Sequence, residues 1–374
     1  MILKKLNKKI LTPIILLSII SIITIISANT YISKSLGNLA IKQITWYTIG
    51  FLLMFIILKL KNNFFYENYK LLYTIGILSL IGLLFFAPEI NNSKCWYIIP
   101  GIGSVQPSEF MKIFLMITLA ISISNFRNKI SNPTIKDEIL FIIKTLIIIL
   151  IPSIFTFLQP DTGAVLIYFI IYIFMMFSSG IRIRWFIIGT LILLFILALI
   201  LILYFYYENI FIEIFSTNIY YRLQRLFDWK NGTGLQLENA ITTIGSAGLF
   251  GHGFNKTPLY FPESGTDFIF AVFASNFGLI TTLGLISIII YLDINILSIS
   301  KKKIPYKDKY ILSGIIGMLL FQQIQNISMT IGLLPITGIT LPFISYGGSS
   351  LLSYMIIIGI VLNISNQKEN LYYN

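Results

Sequence analysis

Near-continuous apolar runs of about 17 to 25 residues recur along this 374-residue chain, and they constrain its fold more than anything else in it. Inside a bilayer every backbone amide and carbonyl must find its partner within the protein, so runs of this length form helices. Membrane β-barrels show short segments of alternating polarity instead, a pattern this chain does not follow. With 56% hydrophobic and 11% charged residues, the composition belongs to an integral membrane protein. The expected fold is all-α: a polytopic bundle of about ten transmembrane helices, with residues 1–374 forming one membrane domain and no soluble enzyme module appended.

The spans are expected at 11–29, 44–58, 71–87, 108–125, 139–158, 163–178, 186–206, 267–297, 309–332 and 343–365. The second and sixth are short, and the eighth is long enough to project beyond the hydrocarbon. Basic residues fall in alternate loops: Lys4, Lys5, Lys8 and Lys9, then Lys59, Lys61 and Lys70, then Arg127, Lys129 and Lys136, then Arg182 and Arg184, and finally Lys301 to Lys309. With ten spans these all lie on one side, which the positive-inside rule makes cytoplasmic together with both termini. The net charge of +12 is therefore a topology signal and an attraction to anionic lipid, and it does not point to nucleic acid. The Lys-rich start lacks a small-residue cleavage pattern and is expected to stay as the first helix. Cys95 and His252 are the only residues of their types, which excludes an intramolecular disulfide and a zinc site built on His and Cys.

Four outward features break the apolar background. Trp96 to Lys112 is punctuated by Pro100, Gly101, Gly103 and Pro107, the last suited to a first helical turn that Gln106 or a neighbour would cap. Glu109 and Lys112 are three apart and share a helix face, either as a structural ion pair or with Lys112 facing a water-filled cavity and an anionic substrate group. Gln159-Pro-Asp-Thr-Gly163 is a tight turn in which Asp161 serves as a cap or as a substrate contact. The loop 207–266, before the eighth helix, is too long for a simple link. Its Arg222 and Arg225 can grip phosphate or pair with Glu213, Asp228 or Glu238. Pro335 to Ser350 carries two prolines and three glycines at a membrane boundary, the mark of a re-entrant or broken segment or of a tightly packed turn.

Asp267 stands where the long loop, ending Phe261-Pro-Glu-Ser-Gly-Thr-Asp267, enters a hydrophobic span. A carboxylate half in water and half in membrane is either an interfacial helix cap or a reacting group.

These motifs carry a family resemblance. Gln106-Pro-Ser-Glu109 with Lys112, Gln159-Pro-Asp-Thr-Gly163, Pro262-Glu-Ser-Gly-Thr-Asp-Phe-Ile-Phe-Ala-Val272 and Asn326 to Ser350 resemble, in order, the signatures of the SEDS family (shape, elongation, division and sporulation). The Thr266-Asp-Phe-Ile-Phe-Ala271 form looks more like the elongation (RodA) branch than the division (FtsW) branch. The resemblance implies a ten-helix peptidoglycan glycosyltransferase of the bacterial cytoplasmic membrane that polymerises lipid II for cell elongation and shape. It also implies a class B penicillin-binding transpeptidase and other elongation-complex membrane proteins as partners. The residue matching Asp267 is the family's proposed catalytic group, Lys112 and Glu109 match positions at a cavity mouth, and a divalent cation, magnesium or manganese, is implicated. Candidate substrate contacts are Gln106, Ser108, Glu109, Lys112, Asp161, Arg222, Arg225 and Ser345. No nucleotide is expected, since the chain has no phosphate-cradling Gly-x-x-x-x-Gly-Lys loop.

The chain departs from the pattern at Cys95, where Arg is common, and at Gly265, where His is common. Ser275-Asn-Phe-Gly278 replaces Glu-Glu-Leu-Gly, and Ser328 replaces Gly. The loss of the acidic pair bears on any metal or partner role of that helix. Two other functions suit the same features: a lipid II flippase with Asp267 as a coupling charge, and a scaffold that only recruits the transpeptidase.

Overall fold

The computed structural model describes residues 6–29, 39–90, 93–99, 103–215, 220 and 234–367. Arg222 and Arg225 lie outside the described residues. The helices are α1 (Lys8–Asn29), α2 (Leu39–Glu67), α3 (Tyr69–Phe86), α4 (Pro107–Lys129), α5 (Ile135–Leu158), α6 (Thr162–Ser178), α7 (Arg184–Tyr206), α8 (Glu208–Phe215), α9 (Leu235–Ser246), α10 (Ile269–Ser300), α11 (Tyr306–Thr330) and α12 (Gly348–Ser365). Among the described residues nine helices are long and apolar enough to cross a membrane, and α6, of 17 residues, is a shorter apolar helix. Every one of the ten expected spans coincides with a helix.

Three boundaries differ from expectation. α2 is not short: it runs past its apolar stretch to Glu67, through a non-helical Lys61. Its polar end is held by packing, because Asn62 donates to the Ile360 carbonyl at 3.2 Å and Tyr66 hydrogen-bonds Asp308. The last span begins at Gly348, five residues later than expected, because 343–347 belong to an open loop. The long eighth span is two helices, broken at Gly278 (φ 76°). The break is filled by the Gly-rich segment after α9. His252 and Gly253 amides donate to the Ser275 and Asn276 carbonyls at 2.9 and 3.0 Å, while Leu279 and Ile280 amides donate to Gly248 and Leu249 carbonyls at 3.1 and 3.3 Å. The freed backbone groups of the helix are thereby re-satisfied, as burial in a membrane protein demands. A Cβ on Gly251 would come within 2.4 Å of the Asn276 carbonyl oxygen, and one on Gly278 within 2.3 Å of the Gly251 nitrogen. Only glycine fits at either position.

The buried centre is formed by α4, α11 and α12, whereas α7 has no buried residue. α12 packs along α2, α11 along α6, and α1 along α10. Small residues permit the close approaches: Gly50 and Gly359 lie under Met355 and Ile57 at the α2–α12 contact, and Gly314 and Gly317 receive Met175 and Phe174 from α6.

Basic loops gather at one end of the bundle. Buried Glu138 accepts from Trp185 Nε1 at 2.7 Å and lies 3.4 Å from both Arg182 and Arg184, and Lys307 sits 4.4 Å from the Tyr66 ring centroid. The opposite end carries a short antiparallel hairpin, β1 (Tyr97–Ile99) and β2 (Gly103–Val105), and the loops that build the site below.

Candidate active site

α2, α4, α6, α10 and α12 begin at the end opposite the basic loops, and a cavity of about 1280 Å³ opens there. Residues 331–347 form its floor as non-helical chain. Open backbone at this depth requires partners, and four side chains from three helices provide them. Tyr47 donates to the Phe343 carbonyl, Ser21 to Ile344 at 2.7 Å, Gln43 to Ser345 at 3.3 Å and Gln325 to Pro335 at 3.0 Å. Of the two sequence readings of this segment, the broken, cavity-lining one holds.

Asp267 projects from the turn before α10 into this cavity, its Oδ2 3.7 Å from where a Cβ on Gly338 would stand. The turn is anchored to the floor three times. Asn326 Nδ2 donates to the carbonyls of Asp267 and Ile339, both at 2.8 Å; Ser345 Oγ donates to Thr266 O at 2.7 Å; and the Tyr346 amide donates to Gly265 O at 2.9 Å. Burial first, and the neighbouring negative charge of Glu263 second, raise the Asp267 carboxyl from the usual carboxylate range to about 7.

Asp161 is the cap of α6 that the turn chemistry offered, and it also gathers two side chains from the start of α4. Its Oδ1 accepts the Ala164 amide at 3.1 Å, and its Oδ2 accepts from Gln106 Nε2 at 2.8 Å and Ser108 Oγ at 2.9 Å. Burial pushes its pKa up against these three hydrogen bonds. Gln106, Glu109 and Asp161 line the cavity, while Ser108 stands behind Asp161. Gln106 occupies the cap position of α4 without a side-chain capping bond, its side chain being directed to Asp161.

Of the two readings of Lys112, the geometry is that of the structural ion pair: the side chain lies behind Glu109 and does not line the cavity. It is fully buried, donates to Glu109 Oε2 at 2.6 Å and sits 5.3 Å from the Tyr354 ring centroid. Glu109 also accepts from Ser353 at 3.3 Å. Ser345 is likewise a clamp within the wall, accepting the Leu341 amide at 2.8 Å as it donates to Thr266.

Three lining residues escaped the sequence reading. Trp46 packs on Gly348, where a Cβ would fall 2.7 Å from its ring, and on Gly103. Lys42 is a cation on the outward end of α2, and Glu263 stands one turn from Asp267. A tryptophan at a span boundary and a lysine running against the charge bias of the loops are the signals that could have found the first two. Four lining residues are carboxylates: Glu109, Asp161, Glu263 and Asp267. Among the described residues no group of three or more His, Cys, Asp or Glu is close enough to hold a metal ion. A divalent cation held by one or two of these carboxylates together with a substrate's phosphates would need no such group, and no step below passes through one.

Residues 8–370 match the cell cycle protein family of FtsW, RodA and SpoVE. The chain belongs to the SEDS family. It is 32% identical to a probable peptidoglycan glycosyltransferase FtsW of Buchnera aphidicola subsp. Baizongia pistaciae, over 86% of this chain and 83% of the relative. A relative of the same name from Bacillus subtilis strain 168 is 32% identical over 78% and 72%. The SEDS fold is shared with Thermus thermophilus rod shape determining protein RodA, at a TM-score of 0.69 and 24% identity over 96% of each chain. A chain from a peptidoglycan synthase complex, described as coordinating polymerization and crosslinking, superimposes with a TM-score of 0.77 at 24% identity, over 96% of this chain and 97% of that one. Family and spans together make this a multi-pass protein of the bacterial inner membrane.

Proposed function

We propose that this SEDS protein is a peptidoglycan glycosyltransferase that polymerises lipid II, with Asp267 as its general base. The observation that carries the reading is a carboxyl tuned to about 7 on the wall of a cavity large enough for two glycan ends. Curated relatives at about 30% identity bear the glycosyltransferase name. In the reaction a sugar hydroxyl of the acceptor attacks the anomeric carbon of the donor with inversion. The new C–O bond forms as the bond to pyrophosphate breaks, the electron pair leaves on undecaprenyl pyrophosphate, and Asp267 takes the hydroxyl proton. Negative charge accumulates on the leaving group. Lys42 and the start of α12 at Gly347 to Ser350, where the cap residue has no side chain, supply positive potential within the same cavity. Arg222 and Arg225 remain candidates for the same task. Gln106 and Glu109, on the far wall, are the groups we assign to sugar and peptide contacts.

The partner we propose is a class B penicillin-binding transpeptidase, supported by the likeness to a chain of the synthase complex. The elongation role rests on the Thr266 to Ala271 form. The polymerisation chemistry is the same for relatives named FtsW.

Asp267→Asn tests the reading. With purified protein and lipid II, strand formation should fall by about 10²-fold or more. Folding should be retained, since an amide replaces a partly buried charge. In the native chain the rate should drop as pH falls below about 7 and the base takes up its proton. Unchanged polymerisation by the variant removes the mechanism. Lipid II translocation without strand formation by the native chain would favour the flippase.

A further inference from the structure

The second cavity, about 790 Å³, lies at the basic end, among α4, α6, α10, α11 and the turn between α6 and α7. Its chemistry is the reverse of the first. None of its lining residues is acidic, and two, Arg127 and Lys309, are cationic. Neither forms an ion pair among the described residues, although Arg182 and Arg184 nearby both engage Glu138. Arg127 is held in place rather than neutralised. Its Nε donates to the Ser179 carbonyl at 2.6 Å, and Gly180 (φ 74°) lets the turn fold closely over the guanidinium, where a Cβ would stand 3.1 Å from Nη2. That Nη2 is itself buried and has no hydrogen-bond partner. Lys309 lies 5.6 Å from the Tyr306 ring centroid. Ser178 and Ser313 hydroxyls, 2.6 Å apart, add polar surface between α6 and α11, with Ser313 Oγ donating to the Phe174 carbonyl at 2.8 Å.

Beside these polar groups the cavity has apolar walls that reach the outside of the bundle: Phe174 is 36% exposed and Leu297 44% exposed. A basic, hydroxyl-bearing cavity at a helix-bundle end, continuous with apolar lipid-facing surface, matches an amphiphile with an anionic head and hydrocarbon tails. We propose that this cavity binds the phosphodiester headgroup of an anionic phospholipid, with Arg127 and Lys309 on the phosphate and an acyl chain along Phe174 and Leu297. A free phosphate would satisfy the cations and leave the apolar walls unused.

The test uses the purified full-length chain in neutral detergent, titrated separately with dioleoylphosphatidylglycerol, dioleoylphosphatidylcholine and inorganic phosphate. Binding is read by native mass spectrometry and by the shift in unfolding temperature. Phosphatidylglycerol should be retained in preference to phosphatidylcholine, and Arg127→Gln/Lys309→Gln should weaken it roughly thirtyfold, as loss of two basic contacts implies. Because Arg127 also supports the turn at Ser179, Lys309→Gln alone is the second variant and should weaken binding by about fivefold with an unchanged lipid-free unfolding temperature. Lys301→Gln/Lys302→Gln removes two exposed charges outside the cavity and should leave retention intact. Equal loss in that control would mean diffuse attraction and overturn the site, as would equal retention of phosphatidylcholine or displacement of the lipid by inorganic phosphate at matched concentration.

Discussion

At the scale of single residues, two acidic groups on the same cavity are held in different ways. Asp161 spends its oxygens on the Ala164 amide, Gln106 and Ser108, whereas Asp267 is held by its backbone and leaves its carboxylate to the cavity. A base must be free to move a proton, and Asp267 meets that condition. The Lys112–Glu109 pair is structural in its geometry. Lys112→Met should therefore destabilise the protein by ~3–5 kcal/mol by leaving Glu109 without its counter-charge. Adding Glu109→Gln should recover most of that loss, which thermal unfolding of the two variants in detergent would measure. Asp267 was legible in the sequence because a lone carboxylate at a span boundary is conspicuous. The burial of Lys112 was not, since a spacing of three fixes a shared helix face and says nothing about which neighbour covers it.

At the scale of elements, the active end depends on chain that is not regular secondary structure. The floor at 331–347 and the break at Gly278 are both open backbone sealed by specific donors. Gly278→Ala should force a shift at the crossing with Gly251, where a Cβ meets backbone on three sides, and no flexible side chain is there to yield. The expected outcome is lower yield of folded protein and faster proteolysis of the 247–253 segment. Wild-type proteolysis and unfolding temperature would refute the constraint. The prolines and glycines from Pro335 onward announced irregular chain, and the stretch 207–266 was too long for a simple link, so the presence of these segments could be read directly. Their partners could not, because Gly251 and Gly278 are distant in sequence and meet only through the packing of α9 on α10. The same limit hid the true length of α2, whose polar last turns are helical only because α11 and α12 receive them.

At the scale of the whole molecule, ten expected spans became ten helices because the bilayer leaves a long apolar run only one way to satisfy its backbone. The alternation of basic loops also emerged in space, since the α4–α5 and α6–α7 turns meet directly through Arg182 and the Pro133 carbonyl at 2.8 Å. If the basic end is cytoplasmic, a single cysteine in place of Lys302, in a Cys95→Ser background, should react with a membrane-impermeant maleimide only after the cells are opened. One in place of Glu263 should react in intact spheroplasts. The reverse pattern would invert the topology and move the carboxylate-bearing cavity to the wrong side for wall synthesis.

The broken α10 has a mechanical consequence. Because the kink at Gly278 is locked by backbone contacts, the stub Ile269 to Phe277 acts as a spacer of fixed length between that anchor and the Asp267 carboxyl. One added residue in the stub would swing Asp267 by about 100° and lift it by about 1.5 Å. The helix is thus an indexing device: the phase of its first two turns, more than the identity of any side chain on them, sets where the Asp267 carboxyl stands in the cavity.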